Sequence, residues 1–173
     1  MKTCATILVA LAVVATSSVA VAQRGAASKI TGSAYEYPYF YGSAGMYQHN
    51  AYQHADVLRE ATSYGEPVPA EIAKEHTAAI RSSVNSANKK YANLRKMAGD
   101  NKQVHKHLDT IDQHHKKVLD LADKIDASVA SGTGDADTVN AHAHDAAESL
   151  KAAQAEHEKL MKYFGQPQTK SAN

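Results

Sequence analysis

The sequence predicts an all-α protein, an up-down-up-down antiparallel four-helix bundle with an extended Tyr-rich N-terminal arm. Two observations carry that prediction. Apolar residues recur in alternating steps of three and four along four segments, the spacing that lines one face of an α-helix. Between the segments stand short glycine and proline punctuations, and connections this short make consecutive helices antiparallel neighbours.

Residues 1–22 read as a leader. Lys2 precedes an apolar, small-residue run from Ala5 to Ala15, and Ala20-Val21-Ala22 closes it, the form of a cleavable secretory signal peptide. The run falls short of the roughly 20 strongly apolar residues that span a bilayer. The expected mature chain therefore starts at Gln23 and is periplasmic or secreted, and is not a transmembrane protein once processed. Cys4, the single cysteine, lies in this leader. The mature chain is left without a disulfide, a thiolate metal site, a thiol nucleophile or a covalent haem attachment. Acidic and basic residues are interspersed, and no basic stripe marks a nucleic-acid surface.

Residues 23–43 form the arm. Tyr35, Tyr37, Tyr39 and Tyr41 alternate around Pro38, a pattern that favours an extended path. Such an arm could lie in a bundle groove or meet a partner, another copy of the chain or a protein of the cell envelope. The bundle follows over 44–165, and 166–173 reads as a loose polar tail.

Helix one is expected from Ala44 to Tyr64, stopped by Gly65 with Pro67 beyond, its seam formed by Tyr47, Ala51, His54, Leu58 and Ala61. Helix two opens at Pro69 and ends at Gly99, with Ile72, His76, Ile80, Val84, Ala87, Tyr91 and Leu94 inward. Asp100 with Gln103 forms a capping-box pattern for helix three, which carries Val104, Leu108, Ile111, His115, Val118, Ala122, Ile125 and Val129. Asp135 or Thr133 caps helix four, whose seam is Val139, Ala143, Ala146, Leu150, Ala153, His157, Leu160 and Phe164.

The chain carries ten histidines against no tryptophan and two phenylalanines. Each helix sets one on its seam: His54, His76, His115 and His157. A buried imidazole needs partners for both ring nitrogens, and neutral imidazole is a frequent ligand for Zn, Cu, Ni or Fe. Reflecting positions through the loops groups His54, His76, His142 and either Asp123 or Asp126 as a mixed nitrogen and oxygen site for a transition-metal ion. At the other end His105 and His107 fall level with His157, with Asp109 and Tyr91 close by. His115 lies between the ends, one turn from Asp112, and His144 with Glu148 could clip a metal at the surface. The bland reading is that single polar seam residues fix helix register.

Spacing excludes several chemistries. No Glu-x-x-His occurs, which argues against a carboxylate-bridged di-iron site. The histidine-bearing bundle resembles hemerythrin in architecture but lacks the His-x-x-x-His pair of that family. Met46 and His157 sit at one end, where a b-type cytochrome bundle holds haem, a minor alternative. No thiol, phosphate loop, nucleophile elbow or His-Glu-x-x-His supports catalysis. The expectation is a non-catalytic, exported, histidine-rich bundle that binds a transition-metal ion for storage, buffering or sensing. Its competitor is a structural or interaction module without cofactor.

Overall fold

The computed structural model describes residues 33–130 and 132–165. The expected leader, arm residues 23–32 and the tail at 166–173 lie outside the described residues. Four helices make up the fold: α1 (Ser33–Thr62), α2 (Ala70–Met97), α3 (Lys102–Ser128) and α4 (Ala136–Gly165). Each packs on the next in sequence and α4 closes on α1, giving the expected up-down-up-down bundle.

The punctuation works largely as read. Gly65 and Gly99 stop α1 and α2 in the left-handed region, at φ 74° and 53°. The cap of α3 is Asn101 rather than Asp100, its side chain accepting from the Val104 N–H at 3.2 Å. Asp135 caps α4 by accepting from the Thr138 N–H at 2.9 Å. One prediction is corrected. Helix α1 begins at Ser33, so residues 33–43 continue the bundle helix instead of running extended. Pro38 falls in its second turn, where the missing N–H removes one helical bond and ends nothing. Alternating tyrosines indicate a strand only if one face is buried, and a helix can carry them around its circumference.

The α3 and α4 seams are buried as predicted, from Val104 to Val129 and from Val139 to Leu160. Helix α1 turns differently. Its buried line is Ala44, Gln48, Ala51, Ala55, Leu58 and Thr62, while Tyr47 and Ala61 face outward. In α2 the first two turns bury Ala73 and Thr77, and Ile72 is 43% exposed. Small residues hold many of the inward positions of α1 and α4: Ala51, Ala55, Ala143, Ala146 and Ala153 are all buried. The interior apolar residues fall into two clusters. One is built around Leu58, Ile80, Val118, Ile125 and Leu150, the other around Tyr91, Leu94, Leu108, Ile111 and Leu160.

The end of the bundle under the first cluster is tied by its two connections. Val68–Pro69 (β1) pairs antiparallel with Thr133–Gly134 (β2), Val68 opposite Gly134, and the Ala70 N–H donates to Gly132 O at 3.0 Å. Asn140 on α4 donates to Arg59 O at 2.7 Å and to Thr62 Oγ1 at 3.0 Å, so α4 satisfies a carbonyl in the last turn of α1. A side chain at Gly134 would put Cβ 2.5 Å from Val129 Cγ1 and 2.8 Å from Val139 Cγ2. Gly134→Ala should therefore cost about 1–3 kcal/mol by overpacking. Gly42→Ala, in an open helical position with nothing within 4 Å, should instead stabilise by about 0.5–1 kcal/mol. Urea melts of the two variants check the pair, and an equal effect of both would contradict the packing described.

Candidate functional site

A buried polar chain lies where the two apolar clusters meet, and it draws on all four helices. Gln48 stands on α1 between Ala44 and Ala51, Asn88 and Tyr91 come from α2, His115 from α3 and His157 from α4. The rings of His115 and His157 are 0% and 1% exposed, Tyr91 2% and Gln48 1%. Asn88 Oδ1 lies 2.5 Å from His115 Nδ1, and His115 Nε2 lies 3.0 Å from Gln48 Nε2. Gln48 Oε1 is 2.9 Å from the Tyr91 phenol oxygen, which is 2.9 Å from His157 Nδ1. The Tyr91 ring also meets both imidazoles, at centroid separations of 5.9 Å.

Counting donors fixes the direction of this chain. An acceptor at Asn88 Oδ1 requires the proton on His115 Nδ1, which leaves His115 Nε2 to accept from the Gln48 amide. Gln48 Oε1 then accepts the Tyr91 O–H, and the phenol oxygen accepts from His157 Nδ1–H. Every bond points one way, from His157 through Tyr91 and Gln48 to His115 and Asn88, and both imidazoles are neutral. Burial favours that state. Desolvation pushes His115 and His157 down to about 4, and pushes the Tyr91 phenol well above its ordinary value. The fit is close on the α1 side as well, where a Cβ at Gly45 would lie 2.7 Å from His157 Nε2. Glycine there lets α1 pass over the ring.

The second histidine feature is open to water. His54 on α1 and His76 on α2, both half-buried, place their Nδ1 atoms 2.9 Å apart with ring centroids at 5.1 Å. Partial burial and the neighbouring His54 lower the pKa of His76, so its neutral form is favoured. The predicted grouping of this pair with His142 and Asp123 or Asp126 is not assembled. His142 stays half-buried on α4. Arg81 takes both aspartates, at 2.7 Å from Asp123 and 2.8 Å from Asp126, and Asp126 also accepts from Thr77 at 2.5 Å.

The grouping at the opposite end divides too. Arg95 binds Asp109 at 2.7 Å and Asp112 at 2.8 Å, and its guanidinium lies 3.3 Å from His105 Nδ1. His105 Nε2 donates to Gly99 O at 2.6 Å, closing the end of α2. His107 Nδ1 lies 2.6 Å from Glu156 Oε2, while His157 turns inward to Tyr91. Met46 follows Gly45, which lies against His157, so the two are level, but the Met46 side chain is 74% exposed on the outside of α1. Among the described residues no group of three or more His, Cys, Asp and Glu is placed to hold a metal ion.

The juxtaposition of Tyr91 with His157 and of His54 with His76 was readable from loop reflection. Gln48 and Asn88 were missed. The available signal was the unbroken line 44, 48, 51, 55, 58 and 62, which sets a polar residue among alanines. No family model matches the chain, and no characterised protein or solved structure does either.

Removing the phenol tests the chain directly. Tyr91→Phe leaves Gln48 Oε1 without its donor and His157 Nδ1–H without its acceptor, both buried. At about 1–3 kcal/mol per stranded group, the two together should cost about 2–6 kcal/mol. Ser63→Ala, which removes an exposed hydroxyl bond, should stay within about 0.5 kcal/mol. A Tyr91→Phe variant as stable as wild type in urea would contradict the buried chain.

Proposed function

We propose that the protein is a non-catalytic helical bundle that takes up one transition-metal ion through His54 and His76. The observation that carries this reading is the 2.9 Å separation of two Nδ1 atoms across the α1–α2 seam. Imidazole nitrogens bind such ions at about 2.0–2.1 Å. Two of them at adjacent positions on one ion therefore lie about 2.9–3.4 Å apart by simple trigonometry. The pair is thus spaced for a shared ion as well as for its present hydrogen bond, and small ring movements exchange one for the other.

Two nitrogens without a carboxylate suit Cu(II), Ni(II) or Zn(II) over Mg or Ca, and the half-open position lets water complete the coordination. Two protein ligands favour exchange over permanent storage, so buffering or sensing is the role proposed. His115 and His157 are engaged in the interior chain and His105 caps α2, so they stand outside this ligand set. The leader at 1–22 supports an extracytoplasmic setting, which the mass of the natively processed chain would check.

Titrating each ion into untagged protein tests the proposal. At ion concentrations about 100-fold above Kd, stabilisation should be about 2.7 kcal/mol, seen as a rise in Tm. His54→Ala or His76→Ala should abolish that rise, and His142→Ala should leave it intact. A Tm unmoved by all three ions ends the proposal.

A second reading, an interaction module, rests on a different observation. Met46 and Val57 are 74% and 44% exposed, and they stand three turns apart on one outward face of α1 beside Tyr47. Self-association that is lost on Met46→Ser with Val57→Ser would favour it.

A further inference from the structure

The buried chain has an unusual property that follows from hydrogen-bond direction alone. We infer that the interior layer can hold one extra proton but not two, so that the second proton opens the bundle. Gln48 and Tyr91, the two groups between the imidazoles, set this limit. Gln48 presents one acceptor, Oε1, and one donor face, Nε2, to its two partners. Tyr91 has one proton to give and, with its pKa raised, keeps it.

Consider a proton added to His157. Its Nδ1–H still donates to Tyr91, Tyr91 to Gln48 Oε1, and Gln48 Nε2 to His115 Nε2, so the central bonds survive. Consider instead a proton added to His115 at Nε2. Two donors now face each other, and the Gln48 amide must turn over. Gln48 Nε2 then donates to the phenol oxygen, Tyr91 donates to His157 Nδ1, and His157 moves its proton to Nε2. That reversed chain is also complete between the rings. With both rings charged, neither direction works. His157 Nδ1–H donates to the phenol, and then either Tyr91 gives its proton to Gln48 Oε1, leaving Gln48 Nε2 against His115 Nε2–H, or Gln48 turns over and the Tyr91 O–H loses its acceptor. A buried donor pair with no acceptor is costly.

Among the described residues, the charged groups near the rings are few and mostly engaged elsewhere. Among the described residues of α1, Gln48 and Gly45 lie against the rings and carry no charge. On α2 the groups against the rings are Asn88 and Tyr91, with Arg95 beyond. On α3 Asp112 acts on Tyr91 but is held by Arg95, and His114 opposes a charge on His115. On α4 Glu158 favours a charged His157, and Glu156 is taken by His107 and Lys159. The sign of the pH effect follows. Both rings lie at about 4, below the ordinary 6.5, so the unfolded chain binds these protons more tightly. The stability they confer is whole above pH 6.5 and drains away as the pH falls toward 4.

The test is ring-resolved NMR of the full chain from pH 8 to 3, which separates these rings from His54 and His76, with near-UV circular dichroism following the packing. In wild type at most one of the two rings should be charged while tertiary signals persist. Gln48→Glu supplies acceptors to both Tyr91 and His115 Nε2–H. Both rings should then charge within the folded bundle, and the acid midpoint should fall by about one pH unit. His115→Gln, which accepts from Gln48 and donates to Asn88, should also lower the midpoint, with one fewer proton taken up on unfolding. Wild-type protein with both rings charged and its tertiary signals intact would overturn the inference. So would an acid midpoint that neither variant lowers.

Discussion

The interior of this bundle is organised by a single constraint: four buried polar side chains and the half-buried Asn88, on four helices, must satisfy one another. Apolar seams tolerate sliding, because one Leu or Ala layer packs nearly as well as the next. The chain from His157 to Asn88 does not. Shifting any helix by one turn moves its contribution by about 5.4 Å, beyond hydrogen-bond reach. Stranded groups in a low-dielectric interior then oppose the shift. The layer gives register to helices whose apolar pattern is otherwise repetitive, as single polar core residues do in coiled coils. Its position at the junction of the two apolar clusters lets it fix both halves at once.

Other features of the packing accommodate this layer. Two imidazoles and a phenol occupy much of the cross-section, so the helices facing them carry small residues: Ala44 and Gly45 on α1, Ala87 on α2, Ala153 on α4. The α2–α3 seam is fastened from outside by a repeated device. Arg81 spans Asp123 and Asp126, and Arg95 spans Asp109 and Asp112. The arginines are fourteen residues apart, as are the aspartate pairs, two heptads in each case. These partly exposed clamps each contribute little, about 0–1 kcal/mol per pair. Their value lies in orientation, because a planar guanidinium gripping two carboxylates one turn apart accepts one alignment of α2 on α3.

The fold class was legible because it depends on periodicity, which the α3 and α4 seams carry without a break. Register was less legible where the amphipathic signal is weak. In α1, large residues such as Tyr47 look like core residues, yet the helix buries alanines and Gln48. In α2, Ile72 likewise loses the inward place to Ala73. The site was half legible. Loop reflection predicts which histidines share a level, and it brought His54 to His76 and Tyr91 to His157. It cannot say which way a side chain turns, so Asp123 and Asp126 were assigned to a metal when Arg81 holds them. Hydrogen-bond partners such as Gln48 and Asn88 carry no periodic signature and emerge only when rotamers and distances are known.

The two histidine pairs differ in one respect that separates their chemistry. His115 and His157 are sealed, and the nitrogens facing each other along the chain are committed through Tyr91 and Gln48. An ion there would have to displace a satisfied network and enter a packed core, and both costs fall on the folded state. His54 and His76 lie half-buried on the α1–α2 seam, where one hydrogen bond and a tilted ring contact join them and water can reach the rings. Exchanging that bond for a shared ion disturbs no apolar layer. On the two proposals made above, the interior pair couples the fold to protons and the edge pair couples it to a metal ion. Because α1 contributes Gln48 to one and His54 to the other, loosening of α1 at low pH should weaken metal binding beyond the simple competition of protons for the His54 and His76 nitrogens.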